Sequence, residues 1–286
     1  MPIVPMHTIL KRARAAGYAV AAFECWNSAN LFGIAEGAAE SGMPVILQAS
    51  PAEYRTMGGP DALRAIAEYY VERTGITAAL HLDHGTTIEH VRECMNAGFT
   101  SVMIDASQAS LDRNMELSAE SVALAHPHGI SVEAELGHVG GSEAGIEDDG
   151  SNPEDHLTNV ADAERFVKET GIDCLAVAIG TIHGTYRGEP KIDLPRLEAI
   201  AARVPQPLVL HGGSGTPPDK LLAAIDRGIA KINICTDIHI AWLDGIAEAR
   251  KSLTPSVPGN FHRIPHERIK EKVKEYIGLF RNGKNA

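Results

Sequence analysis

Three histidines stand at the ends of apolar segments, and glycine follows each of them closely. His84 comes after an apolar run that ends in Asp83, and Gly85 follows it. His183 and His211 come after two later apolar runs, and each directly precedes a glycine. Three imidazoles leave one position of a tetrahedral divalent ion open, which is how a catalytic zinc site is built. We therefore predict a metal site on these three histidines.

Asp83 directly precedes one of the predicted metal ligands. A carboxylate in this place could orient a histidine through its second ring nitrogen. It could also act as a general acid and base, since it could pass a proton to a substrate bound at the open metal position. We favour the catalytic role. His81 shares a strand face with Asp83 and fits either a supporting role or simple packing, whereas His239 and His266 are predicted to be surface residues.

The elements that position these residues follow a recurring order: a helical segment, a glycine and an apolar strand. A helix commonly ends in a left-handed residue, which glycine adopts at little cost. The segments between the strands show helical periodicity, with the apolar positions of residues 61–74 on one face. Near-continuous apolar strands that alternate with helices indicate a parallel sheet covered by helices. Eight such units in 286 residues favour an α/β fold of the closed (β/α)8, or TIM-barrel, type.

A glycine-rich turn gives a second candidate site. The string Gly212-Gly213-Ser214-Gly215 precedes a helical pattern that starts near Pro217. Backbone N–H groups in such a turn and the dipole of the following helix form an anion site, although the same string also occurs in ordinary tight turns. Its place after the seventh predicted strand favours phosphate, because barrels commonly bind phosphate in the loops after strands 7 and 8.

Composition excludes several classes of protein. The formal net charge of −11 argues against nucleic-acid and anionic-membrane partners, which require a basic surface. The first strand lacks the G-x-G-x-x-G fingerprint of dinucleotide-binding folds. We expect no membrane span, because no apolar run approaches about 18 residues, and no signal peptide, because the N-terminus lacks a charged region followed by an apolar stretch. The cysteines form no C-x-x-C pair, which indicates reduced thiols in a cytoplasmic protein; they are Cys25, Cys94, Cys174 and Cys235.

Residues 1–286 are expected to form one barrel domain with two segments outside the repeat. Residues 138–160 are rich in Gly, Asp, Glu and Ser and lack apolar periodicity. A loop of this length in a compact domain is usually functional or disordered, so we predict a mobile active-site loop. Apolar residues at helical spacing within residues 262–286 predict a C-terminal helix that closes the barrel and ends in a tail.

The chain resembles the class II, metal-dependent ketose-bisphosphate aldolases of the fructose- or tagatose-bisphosphate type over essentially its whole length. The resemblance implies reversible aldol cleavage of a ketose 1,6-bisphosphate to dihydroxyacetone phosphate and glyceraldehyde 3-phosphate. It rests on ordered motifs: Asp83-His84-Gly85, Glu133-Ala134-Glu135-Leu136-Gly137 with Gly140-Gly141, Ile182-His183-Gly184, His211-Gly212-Gly213-Ser214-Gly215 and Lys231-Ile232-Asn233-Ile234.

The resemblance also implies roles for single residues. Asp83 would exchange the proton of the hydroxyl at the cleaved bond, and Glu143 would move the proton at the nucleophilic carbon. Ser50 matches a phosphate-side contact, whereas Asp105 and Glu135 match acidic positions near the metal. The dihydroxyacetone-phosphate part would be held by Gly184, Gly212, Gly213, Ser214, Asn233, Ile234, Cys235 and Thr236.

Cofactors and assembly are implied in the same way. The resemblance implies one catalytic Zn²⁺ per subunit on the three histidines, a monovalent cation such as Na⁺ or K⁺ beside the phosphate, and a homodimer or homotetramer. One position departs from the family pattern. Where the family usually has Phe-Asn after the first strand, this chain has Phe23-Glu24, and the resemblance implies a substrate contact there.

Three alternatives to this function stay open on the sequence. The first is a related class II aldolase that acts on another phosphosugar or a phosphorylated sugar acid. The second is an aldolase that works through a Schiff base, for which Lys231 is the candidate. The third is a phosphosugar-binding barrel without catalysis. We expect the metal aldolase, because a Schiff-base enzyme would leave the three histidines unexplained. Against a binding barrel without catalysis stand the intact site residues Asp83, His84, His183, His211 and Glu143.

Overall fold

A computed structural model of the protein describes residues 3–141, 153–186, 188–252 and 259–284. Eight parallel strands close into a barrel in chain order, and the last strand pairs with the first. This confirms the predicted (β/α)8 barrel. The strands are β1 Val20–Glu24, β2 Val45–Ala49, β3 Ala78–Leu82, β4 Ser101–Ile104, β5 Ser131–Leu136, β6 Cys174–Val177, β7 Leu208–Leu210 and β8 Ile229–Ile234.

Helices precede β1 and follow each strand around the barrel. They are α1 Met6–Ala16, α2 Ser28–Ser41, α3 Pro51–Thr56, α4 Pro60–Thr74, α5 Ile88–Asn96, α6 Leu111–Ala125, α7 Val160–Thr170, α8 Leu194–Ala201, α9 Pro218–Ile225, α10 Thr236–Ser252 and α11 Gly259–Phe280. Short 3-10 helices cover His126–His128 and Pro153–His156. No helix among the described residues is long and apolar enough to cross a membrane.

The predicted helix boundaries have local causes in the structure. Thr87 caps α5, because its side chain accepts a hydrogen bond from the His90 N–H. Gly75 and Gly171 end α4 and α7 in the left-handed conformation, with φ values of 72° and 75°. A residue with a side chain would be strained at both positions. The glycines that precede the strands therefore separate helix from strand, as the sequence predicts.

Polar residues line the inside of the barrel because side chains alternate along each strand. On β8, Lys231 and Asn233 alternate with apolar neighbours, and Glu133 does the same on β5. Lys231 contacts Glu133 although β5 and β8 are not neighbouring strands, so the contact crosses the interior. The strands are buried on both faces, which leaves these polar groups to satisfy one another.

The predicted C-terminal helix is present and begins at Gly259, earlier than expected. Its apolar face packs against α2, where Gly37 permits close approach: an added Cβ would lie 2.8 Å from Val273 Cγ1. The prediction that His266 is a surface residue is wrong, since it is buried and its Nε2 lies 2.8 Å from Glu36 Oε2. Within the predicted loop at residues 138–160, residues 142–152 lie outside the described residues.

Candidate metal and active site

The three predicted metal ligands meet at the carboxyl ends of β3, β6 and β7. His84 Nε2 lies 3.1 Å from His211 Nδ1, and the ring centroid of His183 lies 5.0 Å from that of His84. One ring nitrogen from each histidine lies within 4.8 Å of the others, and all three side chains are buried. Nitrogen donors at this spacing fit one tetrahedral metal ion.

His183 reaches the site from a loop rather than from a strand end. The structure ends β6 at Val177, whereas the sequence predicts a strand that continues to Ile179. The Ala178 N–H donates to Thr158 Oγ1, and the Ala178 carbonyl accepts from the Thr158 N–H. These bonds replace the ladder to a neighbouring strand. The His183 N–H then donates to the Gly140 carbonyl at 2.8 Å, which anchors the histidine.

Carboxylates on the far sides of two rings fix the orientation of the histidines. His84 Nδ1 lies 2.8 Å from Asp105 Oδ2, and His211 Nε2 lies 2.9 Å from Glu133 Oε1. Metal-binding histidines commonly donate their second ring N–H to a carboxylate in this way. The remaining nitrogens, His84 Nε2 and His211 Nδ1, face each other at 3.1 Å and are the ones that a metal ion would take. His84 has a φ of 44°, an uncommon conformation that strained functional sites retain.

A buried lysine holds Glu133 in place. Lys231 Nζ donates to both oxygens of Glu133, at 2.8 and 3.1 Å. Burial would raise the pKa of Glu133, but the Lys231 ammonium and the hydrogen bond from His211 lower it. Lys231 is fully buried and charge-paired, so it does not fit the Schiff-base alternative. His81 supports the same cluster: its Nδ1 lies 2.8 Å from Ser101 Oγ, and its Nε2 lies 3.6 Å from Glu133 Oε2.

A buried oxygen beside the triad, without a hydrogen-bond partner in the described part of the chain, fits a bound cation. Glu135 Oε2 is buried 3.6 Å from His211 Nδ1, and no hydrogen-bond partner for it lies among the described residues. Burial and the nearby Asp105 raise the pKa of Glu135 to about 8. Burial lowers the pKa of His84, but Asp83 and Asp105 raise it to about 10. The donor set therefore suits a divalent metal ion, and His84, Asp105 and Glu135 form a second group at metal-binding distances.

Asp83 stands beside the triad with its carboxylate held by two amides. Gln48 Nε2 donates to Asp83 Oδ2 at 2.9 Å, and Asn233 Nδ2 donates to Oδ1 at 3.2 Å. Oδ2 lies 4.0 Å from His84 Nε2. Burial would raise the pKa of Asp83, but the charges of His84 and nearby groups lower it, so the carboxylate is ionised. An ionised, oriented carboxylate at this distance can accept a proton from a bound substrate.

The predicted anion-binding loops lie side by side after β7 and β8. The Gly213 N–H donates to the Asn233 carbonyl at 3.1 Å, and the Asp237 N–H donates to Ser214 Oγ at 3.2 Å. Glycine is required at position 213, because an added Cβ would lie 2.8 Å from the Asn233 carbonyl oxygen. Helix α10 starts at Thr236, so the positive end of its dipole lies beside this turn. The geometry suits a phosphate.

Tyr186 connects the loop that contains Gly184 to the glycine-rich turn, and sequence reasoning missed it. Its hydroxyl donates to the Gly212 carbonyl at 3.0 Å and accepts from the Ile182 N–H at 3.2 Å. A second hydroxyl, Thr216 Oγ1, lies 3.1 Å away. A tyrosine within a polar loop carries no spacing signal, so only the three-dimensional contacts reveal this link.

We predict that Tyr186→Phe weakens binding of a phosphorylated substrate more than it slows catalysis. Loss of about one net hydrogen bond costs about 0.5–1.5 kcal/mol, which corresponds to a KM higher by about 2- to 10-fold. Steady-state kinetics would separate KM from kcat. Tyr70→Phe is the matched control, because it removes a hydroxyl whose one hydrogen-bond partner among the described residues is Ser28. A lower kcat with an unchanged KM would contradict the prediction.

Ser50 and Glu24 lie together between β1 and β2, away from solvent. The Ser50 N–H donates to Glu24 Oε1 at 3.1 Å and to Glu53 Oε2 at 2.9 Å, and Ser50 Oγ caps α3. Gln48 Nε2 bridges Glu24 Oε2 and Asp83 Oδ2, each at 2.9 Å. Glu24 is fully buried, and burial together with Glu53 raises its pKa well above the usual range. Its side chain is therefore turned toward Gln48 and Ser50.

The remaining predicted residue, Glu143, lies outside the described residues. The chain belongs to the class-II fructose-bisphosphate aldolase family, whose sequence model matches residues 4–285. The family match identifies the chain as an aldolase, a carbon–carbon lyase.

Relatives agree on the aldolase class and differ in substrate. A fructose-bisphosphate aldolase of Staphylococcus epidermidis is 39% identical over 289 residues, which is 100% of both chains. A 6-phospho-5-dehydro-2-deoxy-D-gluconate aldolase of Shouchella clausii is 42% identical over 246 residues, 85% of this chain and 82% of that one. The crystal structure of the YdjI aldolase from Escherichia coli superposes with a TM-score of 0.86 at 30% identity, covering 99% of this chain and 100% of that one.

Proposed function

We propose that the protein catalyses the metal-dependent, reversible aldol cleavage of a ketose 1,6-bisphosphate of the fructose or tagatose type. The products would be dihydroxyacetone phosphate and glyceraldehyde 3-phosphate. The observation that carries the proposal is the position of Asp83, an ionised carboxylate 4.0 Å from the metal-facing nitrogen of His84. This pairing places a base beside a predicted Lewis-acid site, as cleavage next to a ketone requires.

Asp83 is proposed to accept the C4 hydroxyl proton in cleavage and to return it in condensation. Its carboxylate is well placed for this role, because Gln48 and Asn233 occupy one lone pair on each oxygen and fix its orientation. Burial in the barrel excludes water from the transfer. Glu143 is proposed to move the proton at the nucleophilic carbon, by its match to the family pattern.

The glycine-rich turn and the start of α10 are proposed to bind the phosphate of the dihydroxyacetone-phosphate part. The bound phosphate would orient the reacting carbons, so part of the binding energy lowers the barrier. His84, His183 and His211 would hold the metal. When bound, Zn²⁺ would supply a Lewis acid that polarises the ketone of the substrate. A monovalent cation beside the phosphate remains a proposal from the family pattern.

We also propose a cytoplasmic homodimer or homotetramer. Free, buried thiols at all four cysteines support a reducing compartment. Large apolar side chains exposed on three helices support self-association: Tyr69 is 57% exposed, Leu243 63% and Phe261 42%.

A second candidate substrate is a phosphorylated sugar acid. The relatives named 6-phospho-5-dehydro-2-deoxy-D-gluconate aldolase favour it, because one of them reaches 42% identity. Glu24 does not decide between the candidates. Its carboxyl is fully buried and bonded to Gln48 and Ser50, as that of Asp83 is to Gln48 and Asn233, so a substrate contact at this position stays a prediction.

The test is release of dihydroxyacetone phosphate from fructose 1,6-bisphosphate, tagatose 1,6-bisphosphate and 6-phospho-5-dehydro-2-deoxy-D-gluconate. We expect cleavage of one bisphosphate, a loss of at least about 100-fold after EDTA treatment, and recovery with Zn²⁺. Cleavage of the sugar acid alone would support the second candidate. Cleavage that survives complete metal removal would contradict the proposed mechanism.

A further inference from the structure

A second cluster of metal-binding residue types lies outside the three-histidine site. It consists of Glu53 on α3, Cys235 at the end of β8 and His239 on α10. One ligand atom from each of the three residues lies within 4.8 Å of the others. Asp83, Gln48 and Glu24 form the hydrogen-bonded chain that separates this cluster from the triad.

Within this cluster, Cys235 and His239 have the sequence spacing of a metal-binding pair. Cys235 and His239 stand four positions apart at the start of α10, so both side chains lie on one face of the helix. Cys235 Sγ lies 3.6 Å from His239 Nδ1. The edge between sulfur and nitrogen of a tetrahedral zinc site is also about 3.6 Å, as calculated from ordinary Zn–S and Zn–N bond lengths.

The third residue presents an unsatisfied oxygen to the same space. Glu53 is 8% exposed, and no hydrogen-bond donor among the described residues reaches its Oε1. This oxygen lies 3.9 Å from His239 Nε2, whereas Cys235 Sγ lies nearest to Nδ1; with one nitrogen of the ring taken, the ligand atoms of the three residues lie within 4.8 Å of one another. The other oxygen, Oε2, already accepts from the Ser50 N–H, which also donates to Glu24. A buried carboxylate oxygen without a donor is costly unless a proton or a cation satisfies it.

The surroundings of the cluster are acidic. Burial together with the charges of Glu24 and Glu53 raises the pKa of the Cys235 thiol well above its usual range. A divalent cation bound here would take Cys235 as a thiolate, with the thiol proton released to solvent.

We propose that Glu53, Cys235 and His239 form a second metal site that takes a borderline divalent ion such as Zn²⁺ or Co²⁺. Thiolate, imidazole and carboxylate together suit these ions and do not suit Mg²⁺ or Ca²⁺, which prefer oxygen ligands alone. His239 is 40% exposed at its side chain and gives the ion a route from solvent. The Trp26 ring, centred 4.1 Å from the His239 ring, restricts the imidazole.

The test is titration of the metal-free, full-length protein with Co²⁺, followed by absorption spectroscopy. We expect two equivalents to bind and a near-ultraviolet thiolate-to-cobalt charge-transfer band to appear. The band should persist in His211→Ala, which removes a ligand of the triad, and should vanish in Cys235→Ser. His239→Ala should weaken binding at this site by at least about tenfold, since even indirect partners of a metal contribute that much.

Cys94→Ala is the matched control, because it removes a buried thiol on α5 and should leave the band unchanged. Circular dichroism of each variant would verify folding. Binding of one equivalent by the wild-type protein without a thiolate band would overturn the proposal and leave a simple Cys235–His239 hydrogen bond. A band that persists in Cys235→Ser would also overturn it. Neither result depends on aldolase activity, so the proposed function is tested separately.

Discussion

Asp83→Asn is expected to lower kcat for aldol cleavage by about 10²–10⁴-fold, the contribution of a positioned general base. Asparagine preserves the shape of the side chain but cannot accept the substrate proton. The NH₂ group of the introduced asparagine would also face hydrogen-bond donors, because Gln48 and Asn233 both direct amide N–H groups at the position of the Asp83 carboxylate. Steady-state kinetics with the preferred bisphosphate would measure the loss, and metal analysis would verify that Zn²⁺ content is unchanged.

The proposed roles of the two acids can be separated by their half-reactions. Exchange of the C–H proton of dihydroxyacetone phosphate with solvent requires no proton transfer at C4. Asp83→Asn should therefore retain much of this exchange, whereas Glu143→Gln should lose it. If Asp83→Asn keeps wild-type cleavage, Asp83 is not the base. If it loses both reactions together with its metal, Asp83 acts through the metal site instead.

The positions of the triad could be predicted because a strand places its end at one rim of the barrel. His211 directly follows β7, and His84 comes two positions after the end of β3. The alternation of side chains along a strand places Glu133 and Asn233 inside the barrel. His183 also lies at the rim, as the sequence predicts, although the strand before it ends earlier than predicted. The exact residue at which a strand ends depends on hydrogen bonds such as the one from the Ala178 N–H to Thr158 Oγ1. The periodicity of the sequence does not encode such bonds.

Contacts between residues far apart in the sequence could not be predicted in this way. Gln48 is one polar residue in an apolar strand, and its link from Glu24 to Asp83 depends on the tilt and register of three strands. Lys231 is another example, since the sequence offers it only as the candidate for the Schiff-base alternative, whereas its partner in the structure is Glu133 across the barrel. Pattern analysis locates such residues on a face, but only packing selects their partners.

Glu133→Gln is the second substitution for which we expect a large effect. It would leave the Lys231 ammonium buried without its counter-ion, which costs about 3–5 kcal/mol of unfolding free energy. It would also replace the carboxylate that accepts from His211 Nε2, so we expect Zn²⁺ affinity to fall by about 10- to 100-fold. Urea unfolding and competition with a zinc chelator would measure the two effects.

Lys231→Met and the double variant separate the stabilising role of the pair from its role in orienting His211. Lys231→Met alone leaves Glu133 buried without its cation and should also destabilise the fold. The double variant Glu133→Gln/Lys231→Met buries no charge at this pair, so it should be less destabilised than the sum of the single variants. Its Zn²⁺ affinity should stay low, because the carboxylate that orients His211 is still absent. Recovery of both stability and Zn²⁺ affinity would mean that Glu133 acts on the metal site only through folding, and that another group fixes the His211 ring.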